Sequence, residues 1–278
     1  VNLRHIVVAT DESEAGRQAV RTGLDLAWKA SARLTVMRVV SVKAVRLLNA
    51  MSSDLDPAGL ESGDVELERL QRWLEADLKA APPGTRVEIA IALGVPGIEI
   101  CRFAEQRAAD LLVLGGKQRS PMARLLLGDT ADSVLRRSRV PCLFVQPGCG
   151  PMSQLLVVLN GSGHNMNVLT ACRGFAKAVG AAMRVVAVEG LLAPLPQPLA
   201  SPTPMARSSS MQHEEVDAAI AVRRGLEVPE VLAEVSASGA DVLAFGYHRG
   251  GPSGITDGAS AARHLAHTAP VSVLAIPL

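Results

Sequence analysis

The chain has 278 residues, enough for about two domains of ordinary size, and 48% of it is hydrophobic against 20% charged. That balance belongs to a globular protein and excludes a disordered chain or a miniprotein scaffold. A formal net charge of +1 argues against tracking a polyanion, and 3% aromatics leave no stock of stacking platforms, so no nucleic-acid partner is expected.

The opening VNLRHIVVATDES lacks the basic leader and cleavage site of a signal peptide. No apolar run approaches the length of about 18 residues that spans a bilayer, so no membrane partner and a cytoplasmic location are expected. Cys101, Cys142, Cys149 and Cys172 stand singly, without the spacing of a zinc tetrahedron or a disulfide framework, and read as reduced thiols.

In chain order, residues 5–10 form an apolar run that ends in a polar turn, the pattern of a buried strand. Ser13 to Ala30 is a helix, with Ser13 as its cap and Ala15, Ala19, Val20, Gly23, Leu24, Leu26 and Ala27 on one face. A strand follows from Leu34. Asp64 to Ala80 repeats apolar residues between charges, as an amphipathic helix with a solvated face. Strand Val87 to Gly94, helix Pro96 to Ala109, a strand from Leu111, helix Asp129 to Arg137 and strand Pro141 to Gln146 complete a β-α-β-α-β-α-β-α-β series.

The series then repeats. HIVVATDES at residues 5–13 matches QLLVVLNGS at residues 154–162, an offset of 149. Val87 to Gly94 matches Ala218 to Gly225, ADLLVLGG matches ADVLAFGY, and PCLFVQP matches VSVLAIP at an offset of about 131. The second copy is therefore shorter between its second and third strands. In that place stands Gly190 to Ser210, rich in proline and serine, which reads as a loop followed by at most a short helix over Met211 to Asp217. Domains are expected over residues 1–148 and 149–278, each a doubly wound α/β unit with a five-stranded parallel sheet. The stretch QPGCGPMSQ is the stiff linker between them.

Residues 111–145, LLVLGGKQRSPMARLLLGDTADSVLRRSRVPCLFV, carry the clearest chemical signal. A strand ends at glycine, a basic loop follows, and a helix begins, which is the logic of an anion cradle: glycines admit backbone N–H groups to a phosphate, and the helix N-terminus adds partial positive charge. A plain turn gives the same letters. Gly116-Lys117 imitates the end of a P-loop, but Leu111 stands where the first glycine belongs. His264 and His267, three apart on a helix, have no convergent carboxylate or cysteine, and Ser253 near His248 lacks the strand-to-helix elbow of a nucleophile.

Both copies resemble the universal stress protein family in its tandem arrangement. The resemblance rests on ATDES at the first strand end, Gly94-Val95-Pro96, Ala109 to Gly115, and Arg124-Leu125-Leu126-Leu127-Gly128. It implies a stress-response regulatory protein of flavodoxin-like or Rossmann-like fold, with the two domains self-associating as an intramolecular pseudo-dimer and a homodimer as a further assembly. In the nucleotide-binding branch it also implies an ATP site, with Gly, two residues, Gly, nine residues, then Gly and Ser or Thr.

Carried over by residue, Asp11 matches the aspartate that meets adenosine, Val39 the valine near adenine, and Gly115 and Gly128 the outer glycines, with Lys117 beside them. Gln118 replaces the middle glycine, where a side chain crowds the phosphate path, and Asp129 replaces the hydroxyl. Two like charges about 4 Å apart repel by about 1 kcal/mol in water and more when partly buried. Lys117, Arg119 and Arg124, or a magnesium ion, would offset part of that. In the second copy Gly246 and Ser260 match, while Asn160, Arg249 and Ala259 depart, leaving Tyr247, His248 and Arg249 as a small-ligand loop or a solvated one. The expectation is a binding protein without efficient catalysis and with impaired or absent ATP binding. The alternative is an ATP-binding switch that hydrolyses slowly at its first domain, holding ATP and magnesium weakly.

Overall fold

The computed structural model describes residues 3–41, 63–116, 129–148, 150–159, 165–189, 220–224, 227–247 and 264–278. The first half contains β1 (His5–Thr10), α1 (Glu14–Lys29), β2 (Arg33–Ser41), α2 (Gly63–Lys79), β3 (Arg86–Gly94), α3 (Pro96–Gln106), β4 (Leu111–Gly115), α4 (Asp129–Arg137) and β5 (Cys142–Val145). The second half contains β6 (Gln154–Leu159), α5 (Asn165–Val179), β7 (Ala182–Glu189), β8 (Ile220–Arg224), α6 (Glu227–Ser238), β9 (Val242–Tyr247), a helical stretch over 264–268, and β10 (Ser272–Pro277).

All ten strands join one sheet in the order β3-β2-β1-β4-β5-β10-β9-β6-β7-β8. Each half thus runs 3-2-1-4-5 in its own numbering, the Rossmann order, with every neighbouring pair inside a half parallel. Among the described residues the single antiparallel pair is β5 with β10, where Leu143 lies opposite Leu274. Strand register shifts the alignment of PCLFVQP with VSVLAIP by one residue and makes these two leucines equivalent positions of the repeat, so the pseudo-twofold axis passes between them. The last strands therefore cover each other's open edges, as an apolar strand that would otherwise be exposed requires.

Helices cover both faces, which is why the central strands are apolar on consecutive residues rather than alternate ones. All six residues of β1 are buried. Ile6 and Val8 belong to the core cluster on one face of the sheet, with residues of α1, α2 and α5, while Val7 and Ala9 belong to that on the other face, with residues of α3, α4 and α6. Helices α1 and α5 also touch across the seam. Among the described residues no helix is long and apolar enough to cross a membrane.

Two expectations change. Helix α3 stops at Gln106 rather than Ala109 because Ala108 turns to φ +48°, closing the helix with an Ala109 N–H bond to the Ala104 carbonyl. The charges of α2 are not simply a solvated face. Asp77 is 5% exposed and accepts from Arg17 at 2.5 Å and Arg21 at 2.8 Å, and the Arg17 guanidinium lies 4.3 Å from the Trp73 ring centre. Glu66 is buried as well, while Asp64, Glu68, Arg69, Arg72 and the Glu75–Lys79 pair face water as expected.

Cys101, Cys142 and Cys172 are free and buried, and burial pushes their thiols up to about 11, 12 and 12 respectively. Among the described residues no group of three histidines, cysteines or carboxylates could hold a metal. Cys149, the stretch Gly190 to Ser210 and the short helix over Met211 to Asp217 lie outside the described residues.

Candidate functional site

In a 3-2-1-4-5 sheet the strand order reverses between β1 and β4, and ligands bind at the strand C-terminal ends of such a switch point. Here that point is built from Thr10, Asp11, the first turn of α1 and Gly115. Thr10 Oγ1 accepts the Glu12 N–H at 3.1 Å, and Asp11 Oδ1 accepts the Ser13 N–H at 3.1 Å and the Ser13 hydroxyl at 2.5 Å. Ser13 Oγ in turn accepts the Gly16 N–H at 3.1 Å, capping α1 as its sequence predicts.

Two glycines let this turn sit close. A Cβ on Gly16 would come within 2.5 Å of Thr10 Oγ1 and 3.0 Å of Asp11 Oδ1. A Cβ on Gly115 would stand 2.5 Å from the carbonyl carbon and oxygen of Ala15. The glycine expected to serve a phosphate has a packing duty in the structure: it brings the N-terminal turn of α1 onto the end of β4. The structure thus gathers Asp11 and Gly115 around the positive end of one helix. Val39 lies one residue beyond the Thr10–Arg38 pair, level with Asp11, half-buried on the α3 and α4 face.

Sequence reasoning missed the neighbouring charge cluster. Glu12 adopts φ +62°, a left-handed conformation that non-glycine residues rarely take, yet its side chain is only 11% exposed. Its carboxylate pairs with Arg38 of β2 and, at 3.3 Å, with Arg69 of α2, while Glu66 lies 3.5 Å from Arg38. The cluster ties the β1–α1 turn to β2 and α2 and neutralises Glu12, leaving the exposed Asp11 as the carboxylate open to solvent beside it. A glutamate where the turn favours glycine was the available signal.

The second half is built differently at the matching place. A Cβ on Gly246 would meet the Val168 side chain at 2.5 Å and that of Leu278 at 3.1 Å, and the next residue, Tyr247, is a buried ring where the first half has Gly116. Asp129 begins α4 as expected. Lys117, Gln118, Arg119, Arg124, Gly128, Asn160, His248, Arg249, Ser253, Ala259 and Ser260 lie outside the described residues. His264, on the helical stretch over 264–268, is exposed.

Residues 2–146 match the family model described as the universal stress protein family. Universal stress protein MJ0531 of Methanocaldococcus jannaschii is 30% identical over 145 residues, covering 51% of this chain and 82% of its own. Universal stress protein YxiE of Bacillus subtilis is 26% identical over 144 residues, covering 51% of this chain and 97% of its own. A universal stress protein structure from Archaeoglobus fulgidus superposes with a TM-score of 0.66 at 16% identity, covering 98% of both chains, so the likeness of fold runs through both halves. With a Rossmann-ordered half repeated about a pseudo-twofold axis and a family match over the whole first half, the chain belongs to the universal stress protein family.

Proposed function

We propose that this protein is a cytoplasmic stress-response regulatory protein that binds a small ligand in its first half, without efficient catalysis and with a poor hold on the triphosphate of ATP. The observation that carries the reading is the meeting of Asp11, the α1 N-terminal turn and Gly115 at the switch point, level with Val39. An anion and a hydrogen-bonding ring or sugar would both find partners there. The second half, with side chains of Val168 and Leu278 over Gly246, supports the other half rather than duplicating its site. Its regulatory effect passes to a protein partner.

Gln118 and Asp129 oppose tight ATP binding, the first by crowding the phosphate path and the second by its charge. Replacing them together, Gln118→Gly with Asp129→Ser, removes one repulsive carboxylate and restores one or two backbone hydrogen bonds to phosphate. That is worth about 2–4 kcal/mol, or roughly 30- to 900-fold in affinity. Titration calorimetry with MgATP on the parent and the double variant tests this. Weak parent binding with a large gain supports the reading; tight parent binding with no gain establishes the nucleotide-switch alternative instead.

A further inference from the structure

The seam between the halves is not symmetric where it meets the candidate site. Gln146 follows β5, is 7% exposed, and donates its backbone N–H to the Ser272 hydroxyl of β10 at 3.3 Å, while Ser272 is fully buried. The Gln146 side chain lies against Gly116: its Oε1 is 3.0 Å, and its Cδ 3.2 Å, from where a Cβ of Gly116 would stand. Gly116 N–H bonds to the Val145 carbonyl at 2.7 Å. A chain of contacts therefore runs from the second half, through Ser272 and Gln146, to the end of β4 that carries Gly115.

The pseudo-twofold mate of this chain does not exist. Cys142 pairs with Leu112 as Val273 pairs with Leu243, so Gln146 corresponds to Pro277 and Ser272 to Pro141. Pro277 has no N–H to donate and Pro141 no hydroxyl to accept it. Tyr247 fills the position of Gly116. The polar link is thus built on one side of the seam, the side of the Asp11–Gly115 site.

We infer that Gln146 and Ser272 are positioning residues through which the second half sets the end of β4, and with it the ligand position of the first half. This rests on the reading that the first half carries that position. Two buried polar groups that hold each other in an otherwise apolar seam define one geometry, because either left unpaired would cost its desolvation.

The test is hydrogen–deuterium exchange on the full chain, comparing the parent with Ser272→Ala and, separately, with Gln146→Leu. Both variants are expected to speed exchange in peptides covering residues 111–116 by about tenfold, with β9 peptides and the melting temperature nearly unchanged. A merely structural role for Ser272 would loosen β9, its other neighbour, to the same extent. Unchanged exchange at 111–116, or equal loosening of β9, overturns the inference. Gln146→Leu keeps the backbone N–H and removes only the side-chain contact with Gly116; should Ser272→Ala not fold, Ser272→Cys, which keeps the side chain and weakens the acceptor, decides the Ser272 link by the same peptides. MgATP titration in the Gln118→Gly, Asp129→Ser background adds the functional arm: each seam substitution should weaken binding several-fold. Full affinity beside faster exchange would overturn the link to the ligand. No binding in that background would overturn the ligand reading alone, and the exchange result would still decide the seam.

Discussion

Asp110 and Asp241 are equivalent residues of the repeat, and each carboxylate fastens the start of its half's first strand. Asp110 Oδ2 accepts the N–H groups of Arg4 at 2.8 Å and His5 at 2.9 Å. Asp241 accepts those of Ser153 at 2.8 Å and Gln154 at 3.0 Å, and the Ser153 hydroxyl at 2.7 Å as well. In both halves the aspartate precedes the strand that flanks the switch point, so the clamp sets the register of β1 against β4 and of β6 against β9. Replacing either by alanine orphans backbone donors at a strand end, at about 1–2 kcal/mol each. Asp241→Ala should cost more than Asp110→Ala, by its extra bond. Urea denaturation of the two single variants and the double checks this; the clamps lie in separate halves, so the effects should add to within about 0.5 kcal/mol.

Gly115→Ala separates packing from ligand binding. The added methyl would press on the Ala15 backbone, and backbone cannot rotate away as a flexible side chain can. A loss of about 1–3 kcal/mol is expected, with exchange faster in the first turn of α1. Gly148→Ala fits as a control of another kind: Gly148 has φ +75° and open space around it, so its cost is conformational and leaves α1 undisturbed. A Gly115→Ala protein as stable as the parent would show that α1 does not rest on β4 as described.

The repeat and the alternation of strand and helix were legible because each depends on hydrophobic period, which is local in sequence. The α2 charges were not. Alternating acid and base along a helix reads as a face in water, and nothing in Asp77 itself tells that Arg17 and Arg21, some sixty residues earlier, will converge on it. Glu12 was hidden for the same reason, since its partners come from β2 and α2. Gly115 was read as a glycine of the phosphate path, and its neighbour in the structure is the Ala15 backbone, a packing relation that only three-dimensional proximity reveals. Strand order was left open as flavodoxin-like or Rossmann-like, because both arise from the same alternation of elements.

Asp77→Ala tests the convergence on α2. The substitution leaves Arg17, which is 22% exposed and stacked on Trp73, without its carboxylate, and releases the more exposed Arg21 into water. About 1–3 kcal/mol should be lost, below the cost of breaking a fully buried pair because Arg21 is solvated. A double-mutant cycle of Asp77→Ala with Arg17→Met should return a coupling of about 1 kcal/mol or more; the cycle with Arg21→Met should return less. Equal, negligible couplings would return α2 to the solvated face expected from its sequence.

His5 gives the fold a pH dependence whose sign follows from its surroundings. Its ring is buried between Thr35 Oγ1, 2.8 Å from Nε2, and the Arg107 carbonyl and Arg33 guanidinium, each 3.0 Å from Nδ1. Burial holds its pKa below the ordinary 6.5; the Arg33 charge lowers it further, while the Arg107 carbonyl and the charges of Glu88 and Asp110 pull the other way. The unfolded chain therefore takes up a proton at His5 before the folded chain does. The stability this residue contributes is present above about pH 6.5, and is lost as pH falls from there towards the depressed folded value. Denaturation of the parent and of His5→Gln at pH 7.5 and pH 5.5 isolates the effect, since the other five histidines are common to both proteins. The parent's advantage over His5→Gln should shrink on acidification. An advantage that holds or grows at pH 5.5 would mean that His5 is protonated in the folded protein, with Nδ1–H donated to Arg107 and the Arg33 contact given up.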